Sequence, residues 1–280
     1  MLAYRHAFHA GNHADVLKHI VLVALLRHLN LKDKGWRFVD THAGAGDYRL
    51  DGAQAAKRGE YRHGIGRLWQ RSDAPPAAAD YLRLVRQLNP DGALRRCPGS
   101  PWLAQALRRP QDELRLFELH PTDHTALQRA MAGARGVQVA RADGFAALRS
   151  QLPPPTRRGL VLLDPSYEGH RDYPQVVAAV RDALRRFADG TYMVWYPLVL
   201  KPGAAAMVQR LKTAAPQGWL HATLTVQPLD AQGFGLAGSG VFVLNPPYTL
   251  HATLQALLPW LTAALAQFDG AAWALEQHAV

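Results

Sequence analysis

At 280 residues and 48% hydrophobic, the chain can bury a real core, as one large domain or one domain carrying an insertion. No stretch approaches the roughly 20 apolar residues of a membrane span, and the N-terminus has no apolar signal region, so no membrane partner is expected. One cysteine, Cys97, excludes an internal disulfide and a cysteine-based zinc site and suits a reducing cytoplasm, while a formal charge of +10 fits a polyanionic partner as well as it fits an arginine-rich solvated surface.

Residues 4–19, YRHAFHAGNHADVLKH, are polar and His-rich. Asn12 is a helix-capping residue, and Val16, Leu17, Ile20, Val21, Ala24 and Leu25 then recur on one helical face. His13 and His19 are six apart, off the spacing that shares a face, so no metal site is expected there. Trp36–Thr41 reads as the first strand and runs into HAGAGD, where Gly44 and Gly46 permit a sharp turn close to a ligand. Arg49 stands where a dinucleotide fingerprint needs its third glycine, which disfavours a nicotinamide cofactor.

A helix should follow at once in a plain βαβ unit. Instead, residues 47–98 read as an insertion, with helical stretches near 60–70 and 78–88 and ten Arg or Lys against six Asp or Glu. It is expected to be a small basic helical subdomain that contacts RNA, or a structural elaboration that contacts nothing. The core is then residues 1–46 and 99–280. Ser100 and Pro101 open the next helix as its cap and first residue, a place where unpaired N–H groups favour an anion.

Three strands then each end on an acid: Leu114–His120 with Glu118, Val137–Ala140 before Asp143-Gly144, and Gly159–Asp164. In an open α/β sheet, ligands sit at the carboxyl ends of strands. Glu118, 18 residues after Ser100, suits ribose hydroxyls, and Asp143 suits an adenine amino group. Each acid alone is more often a cap or turn former; three at successive strand ends are harder to dismiss. Asp164-Pro165-Ser166-Tyr167 adds an acid, a rigid turn and a ring, which together can hold a flat polar group. Strands at Thr191–Tyr196, His221–Val226 and Gly240–Asn245 follow, the last two joined too tightly for a crossover and so antiparallel. Helix His251–Gln267 is expected to finish the fold. Seven strands with the last antiparallel form the methyltransferase variant of the doubly wound sheet, not the dehydrogenase one.

With these motifs in order, YRHAFHAGNHADVLKH, DTHAGAG, GEYRHGIGRLWQ, PGSP, ELHP, ADG and DPSYE, nearly the whole chain resembles the RlmJ family of bacterial 23S ribosomal RNA adenine-N6 methyltransferases. Ser166 departs from the usual D/N-P-P-Y/F motif but spares Asp164, the Pro165 carbonyl and Tyr167. The resemblance implies a Rossmann-like class I sheet and S-adenosyl-L-methionine as cofactor. It also implies a specific adenine of 23S rRNA as substrate, as protein-free RNA or an early assembly intermediate, with no obligate protein partner and no metal. Carried over, the cofactor contacts fall on His19, His42, Ser100, Glu118, Asp143, Gly144 and Asp164, with Gly44 and Gly46 making room. Substrate contacts fall on Tyr4, His6 and Lys18. Asp164 and the Pro165 carbonyl would hold the target amino group and Tyr167 would stack on the base. A DNA adenine-N6 methyltransferase and a non-catalytic RNA-binding protein are the alternatives. Asn245-Pro246-Pro247-Tyr248 matches the motif's text better than Asp164–Tyr167, but it ends the last strand, further out in the sheet; it is expected to be a turn near the substrate channel.

Overall fold

A computed structural model describes residues 5–279 apart from 53, 54, 56, 58, 170, 201, 202, 216 and 231–234. After a 3-10 turn at His6–Phe8, Asn12 caps α1 (His13–Leu29), its side-chain oxygen accepting from the N–H groups of Ala14 and Asp15. Strand β1 (Arg37–Asp40) follows, then the insertion, which holds β2 (Asp47–Arg49), a 3-10 turn at Glu60–His63, α2 (Ile65–Leu68), α3 (Pro76–Leu88) and β3 (Arg96–Pro98). Next come α4 (Ser100–Leu107), β4 (Glu113–Phe117), α5 (Pro121–Ala130), β5 (Val137–Ala140), α6 (Gly144–Gln151), β6 (Gly159–Leu163) and α7 (Asp172–Arg186). The chain closes with β7 (Thr191–Leu198), α8 (Ala204–Lys212), β8 (Trp219–Thr225), β9 (Gly238–Leu244), α9 (Leu250–Leu265) and β10 (Ala272–His278).

Eight strands form one sheet in the order β10-β8-β9-β7-β6-β1-β4-β5. β5, β4, β1, β6 and β7 are mutually parallel, and β9 runs antiparallel between β7 and β8. This is the class I methyltransferase sheet with the expected antiparallel strand, plus one more. β10 pairs antiparallel with β8 at the edge, where the sequence reading had ended on a helix. Its side chains alternate, with Trp273 and Leu275 packed on the core, and Glu276 ties it to Lys212 Nζ at 2.6 Å.

The inner strands of the sheet are buried on both faces, as parallel sheets are. Successive residues of β6 enter opposite clusters: Leu160 and Leu162 join the one built around α1, α3, α4 and α9, Val161 and Leu163 the one under α6, α7 and α8. α1 is buried nearly all round, so its polar residues do not face solvent as an amphipathic surface helix would have them.

The insertion is not a body with its own core. β2 and β3 pair antiparallel and bring its two ends together, Asp47 beside Pro98. Tyr81, Leu82 and Val85 of α3 belong to the same apolar cluster as α1, and Arg27 bonds to Asp80 at 2.7 Å. The Ile65 N–H donates to the Gly11 carbonyl, and Arg67 donates to the Ala266 carbonyl at 2.5 Å. Arg71 pairs with Asp73 and lies over the Trp260 ring. Arg67 and Arg71 of this basic insertion are therefore engaged within the protein, and α2 ends before Arg71, so the two share no helix face.

Candidate active site

Because β1, β4, β5, β6 and β7 are parallel, their carboxyl ends share one edge of the sheet. A cavity of about 650 Å³ opens there. It receives His6, Lys18 and His19 from the N-terminal region, His42 and Gly44 from the turn after β1, and Ser100 from α4. Glu118, Asp143, Gly144, Asp164, Pro165 and Tyr167 come from the turns after β4, β5 and β6.

Asp164 ends β6. Its Oδ2 accepts from Lys18 Nζ at 2.6 Å, and Oδ1 has no partner among the described residues. Lys18 Nζ also lies 2.9 Å from Asp15 Oδ1. Asp15 is 3% exposed and in addition accepts from the Gly11 N–H and sits 2.9 Å from His6 Nε2. Burial alone would discharge all three groups. It pushes the Lys18 ammonium down, but Asp15 and Asp164 raise it well above its ordinary range. It pushes Asp15 up, but His6 and Lys18 hold it well below. At Asp164 burial wins: its carboxyl is raised, with Lys18 opposing.

Asp40, at the end of β1, is fully buried. It accepts from Ser100 Oγ at 2.6 Å and from the His42 N–H at 3.2 Å. Burial raises its carboxyl to about 7, against the Ser100 bond and with the help of Asp164. Ser100 therefore does not cap α4, as its sequence position suggests; Gly99 is the N-cap and the hydroxyl serves Asp40.

Glu118 accepts from the N–H groups of Gly44 at 2.8 Å and His120 at 2.7 Å, which draws the Gly44 turn onto β4. Gly44 has φ +62, and a Cβ there would lie 2.2 Å from the Tyr48 hydroxyl, so only glycine fits. Gly144 begins α6 so near β1 that a Cβ would meet the Thr41 carbonyl at 2.0 Å. Asp143 caps α6 with Oδ1 at 2.9 Å from the Phe145 N–H. His42 packs edge-on against Phe145, and burial lowers its ring to about 4. His19 is 1% exposed, burial holds it neutral with a pKa of about 3, and neither ring nitrogen has a hydrogen-bond partner among the described residues.

A model of the family described as Ribosomal RNA large subunit methyltransferase D, RlmJ, matches residues 33–276. The chain belongs to this family. It is 44% identical over 277 residues to Ribosomal RNA large subunit methyltransferase J of Haemophilus influenzae, covering 99% of this chain and 98% of the relative. It is 44% identical over 265 residues to the Escherichia coli protein of the same name, covering 95% and 94%. A crystal structure of a Legionella pneumophila protein superposes with a TM-score of 0.89 at 35% identity, over 96% of this chain and 98% of the other.

Within this RlmJ-family fold, Gly46 and Tyr167 do not stand as the sequence placed them. Tyr4 lies outside the described residues. Gly46 sits behind the wall, its carbonyl accepting from the Gly99 N–H at 2.8 Å. Tyr167 lines the cavity but is only 3% exposed. It has φ +52, its hydroxyl donates to the Trp195 carbonyl at 2.6 Å, and its ring lies 4.7 Å from that of Tyr173. The stacking surface expected of it is almost wholly covered. Asn245–Tyr248 is a turn, but not near the channel. Antiparallel β9 delivers Asn245 to the opposite edge of the sheet, where its Nδ2 donates to the Ala188 and Gly190 carbonyls before β7.

Sequence reasoning missed Asp15, Asp40, Glu60 and Trp195. Glu60 reaches back from the insertion to His9 Nδ1 at 2.9 Å and Asn12 Nδ2 at 3.1 Å, and so fixes the N-terminal segment along the cavity. Trp195 places its ring 5.5 Å from the Lys18 ammonium. The acid three residues before Lys18 was a readable signal; the partnership of Glu60 with residues some fifty positions away was not.

Proposed function

We propose that the chain transfers a methyl group from S-adenosyl-L-methionine to the exocyclic N6 of a specific adenine in 23S ribosomal RNA. The observation that carries the reading is Asp164, half-buried beside Lys18 with one oxygen uncommitted, in a cavity shared with the strand-end acids Glu118 and Asp143. The residues fit the cofactor. Glu118, already fixed by two backbone N–H groups, offers remaining lone pairs to ribose hydroxyls. Asp143 has an oxygen beyond the one that caps α6, suited to an adenine amino group. The unpartnered nitrogens of His19 are the kind of buried polar atoms that a bound polar group satisfies. When bound, S-adenosyl-L-methionine supplies an electrophilic methyl group.

The exocyclic nitrogen of adenine is a poor nucleophile because its lone pair is delocalised into the ring. Asp164 Oδ1 and the Pro165 carbonyl accept its two N–H bonds, which localises the lone pair and aims it. Lys18 opposes the rise that burial gives the Asp164 carboxyl, and Asp15 holds Lys18 where it can do so. Positioning and fixed charge are the main means of catalysis available to such a site. The amino proton leaves to Asp164 Oδ1 or to water. The base must leave its stack to reach Asp164 in this cavity. The excess of positive charge serves the RNA backbone, whose phosphates it neutralises.

The test is methyl incorporation from labelled cofactor into protein-free 23S rRNA and, in parallel, into duplex DNA, followed by mass mapping of the product. N6-methyladenosine in the RNA, lost with Asp164→Ala, is the expected result. Label in duplex DNA alone would overturn the RNA assignment, and label on another base would overturn the N6 assignment.

A further inference from the structure

Asn245-Pro246-Pro247-Tyr248 takes no part in the reaction described above, yet it builds an exposed ring on a fixed stem. Asn245 Nδ2 donates to the Ala188 and Gly190 carbonyls, both at 2.6 Å. Two prolines follow with their φ angles locked, and the Leu250 N–H donates back to the Pro247 carbonyl at 2.9 Å. His28, near the end of α1, holds the turn from the other side. Its Nδ1 lies 3.2 Å from Thr249 Oγ1, and its ring meets that of Tyr248 edge-on at 5.6 Å. Leu31 belongs to the same corner, its N–H donating to the His28 carbonyl at 3.1 Å. Tyr248 at 84% and Leu31 at 69% are the two most exposed large apolar side chains among the described residues.

Positive charge surrounds this corner. Arg158 donates to the Leu29 carbonyl and Arg109 to the Lys32 carbonyl, both at 2.8 Å, and both also reach the Lys34 carbonyl. The loop after α1 is thereby pinned beside the Tyr248 turn. Burial first, then the charges of Arg158 and Lys32, hold the His28 ring below its ordinary range, which places both cations near it. Lys32, Lys34 and Arg157 are exposed and have no ion-pair partner among the described residues. The acids of this corner are Asp33, which is exposed, and Asp112, which is buried and committed to Arg109. A rigidly held open ring beside unpaired cations is the pattern that a nucleic-acid strand uses, with a base on the ring and phosphates on the cations. An acidic peptide would satisfy the lysines without using the ring.

We propose that this corner is a second RNA contact, at the edge of the sheet opposite the reaction centre, where an unpaired base of the substrate RNA stacks on Tyr248 and its flanking phosphates meet Lys32 and Lys34. The assignment rests on the reading of RNA as substrate and adds to it a surface that docks the RNA away from the target base. Lys18 and His28 are ten residues apart on α1, so the two places are separated by about 15 Å along the helix axis, within reach of one folded RNA. The contact is remote from Asp164, so it strengthens docking and leaves the transfer step alone. Stacking on tyrosine tolerates any base, so the corner selects an unpaired strand and not a sequence.

The experiment uses the full chain and protein-free 23S rRNA, and measures RNA affinity against salt concentration together with kcat and KM for methyl transfer. Tyr248→Ala should weaken RNA binding by about ten-fold, the loss of one stacked base, and raise KM while leaving kcat and cofactor affinity unchanged. Tyr248→Phe keeps the ring and should bind as wild type does. Replacing Lys32 and Lys34 together with Ala should lower the salt slope by about 1.4, two phosphate contacts on a single strand. The melting temperature of each variant should match wild type, because the side chains are exposed. Equal RNA affinity in wild type and Tyr248→Ala, with parallel salt slopes for the lysine variant, overturns the contact and leaves the methyltransferase reading standing. So does a Tyr248→Phe as weak as Tyr248→Ala, which would take the role from the ring. A Tyr248→Ala defect seen on ribosomal particles but not on protein-free RNA assigns the corner to a protein and also overturns the proposal. A wild type that binds no RNA sinks the rRNA reading, and the contact with it.

Discussion

Asp40→Asn should stabilise the protein at neutral and alkaline pH and leave it nearly unchanged at about pH 4 and below. Asp40 has no solvent exposure, and burial raises its carboxyl from an ordinary 3.8 to about 7. Between those values the folded protein keeps a proton on Asp40 that the unfolded chain has lost. Stability has the slope of protons bound unfolded minus protons bound folded, so this group makes stability fall as pH rises from about 4 to about 7. At about 1.4 kcal/mol per pKa unit, the whole window contributes about 4 kcal/mol, of which about 2–3 kcal/mol falls between pH 5 and pH 8. Asparagine has no proton to lose. Its oxygen can accept the His42 N–H and its amide can donate to Ser100 Oγ, so both existing contacts have a counterpart. Urea unfolding of wild type and Asp40→Asn from pH 5 to pH 8 reads the effect directly. The stability difference in favour of the variant should widen by about 2–3 kcal/mol across that range. A difference that stays constant with pH would mean that Asp40 is ionised in the folded protein throughout, and the account of its burial would be wrong.

Lys18→Met should shift the acid limb of the methyl-transfer pH profile upward, because Lys18 is what opposes the burial-driven rise of Asp164; an unmoved limb would separate Lys18 from the ionisation of Asp164. Asp164→Ala should abolish transfer and Asn245→Ala should leave most of it, since Asn245 only ties β9 to the Ala188–Gly190 turn; equal losses in two folded variants would show that the wrong motif was chosen. Glu118→Ala should weaken cofactor binding by about 1–3 kcal/mol in calorimetry, and unchanged affinity would remove Glu118 from the ribose role. Arg67→Ala should lower the melting temperature by a few degrees through the lost bond to the Ala266 carbonyl without changing the salt dependence of RNA binding; a drop of about 0.7–0.9 in the salt slope would instead make Arg67 a phosphate contact.

The central sheet was readable because its strands are apolar runs that stop on acids. Glu118, Asp143 and Asp164 all lie at the edge where the parallel strands end. Asn12 capped α1 as its residue type demands. What sequence did not carry was the far side of each contact. Asp15 looks like an ordinary first-turn acid until Lys18 and His6 converge on it. Ser100 has a cap residue's identity, but the nearby buried carboxylate of Asp40 is the stronger partner for its hydroxyl. β10 was missed although Trp273 and Leu275 alternate with Ala272, Ala274 and Glu276, the period of a half-buried strand. The charge of the insertion said nothing of where Arg67 and Arg71 point, because carbonyls and carboxylates inside the fold compete with phosphate for the same guanidinium groups.

The burial of α1 has a consequence for the order in which the protein is made. It leaves the ribosome before α2 to α9, yet it packs against β6, β7, β9 and α9 as well as against α3 and α4. Thirteen of its seventeen residues are buried, so nearly the whole helix is without cover until those partners exist. At about 5–20 residues per second, synthesis from α1 to the end of α9 takes tens of seconds. For that time Val16, Leu17, Ile20 and their neighbours are apolar surface on a growing chain, and Lys18 has no Asp164 to meet. A chain arrested before β9 therefore carries an uncovered sticky helix and an unassembled reaction centre together, which couples loss of activity to aggregation.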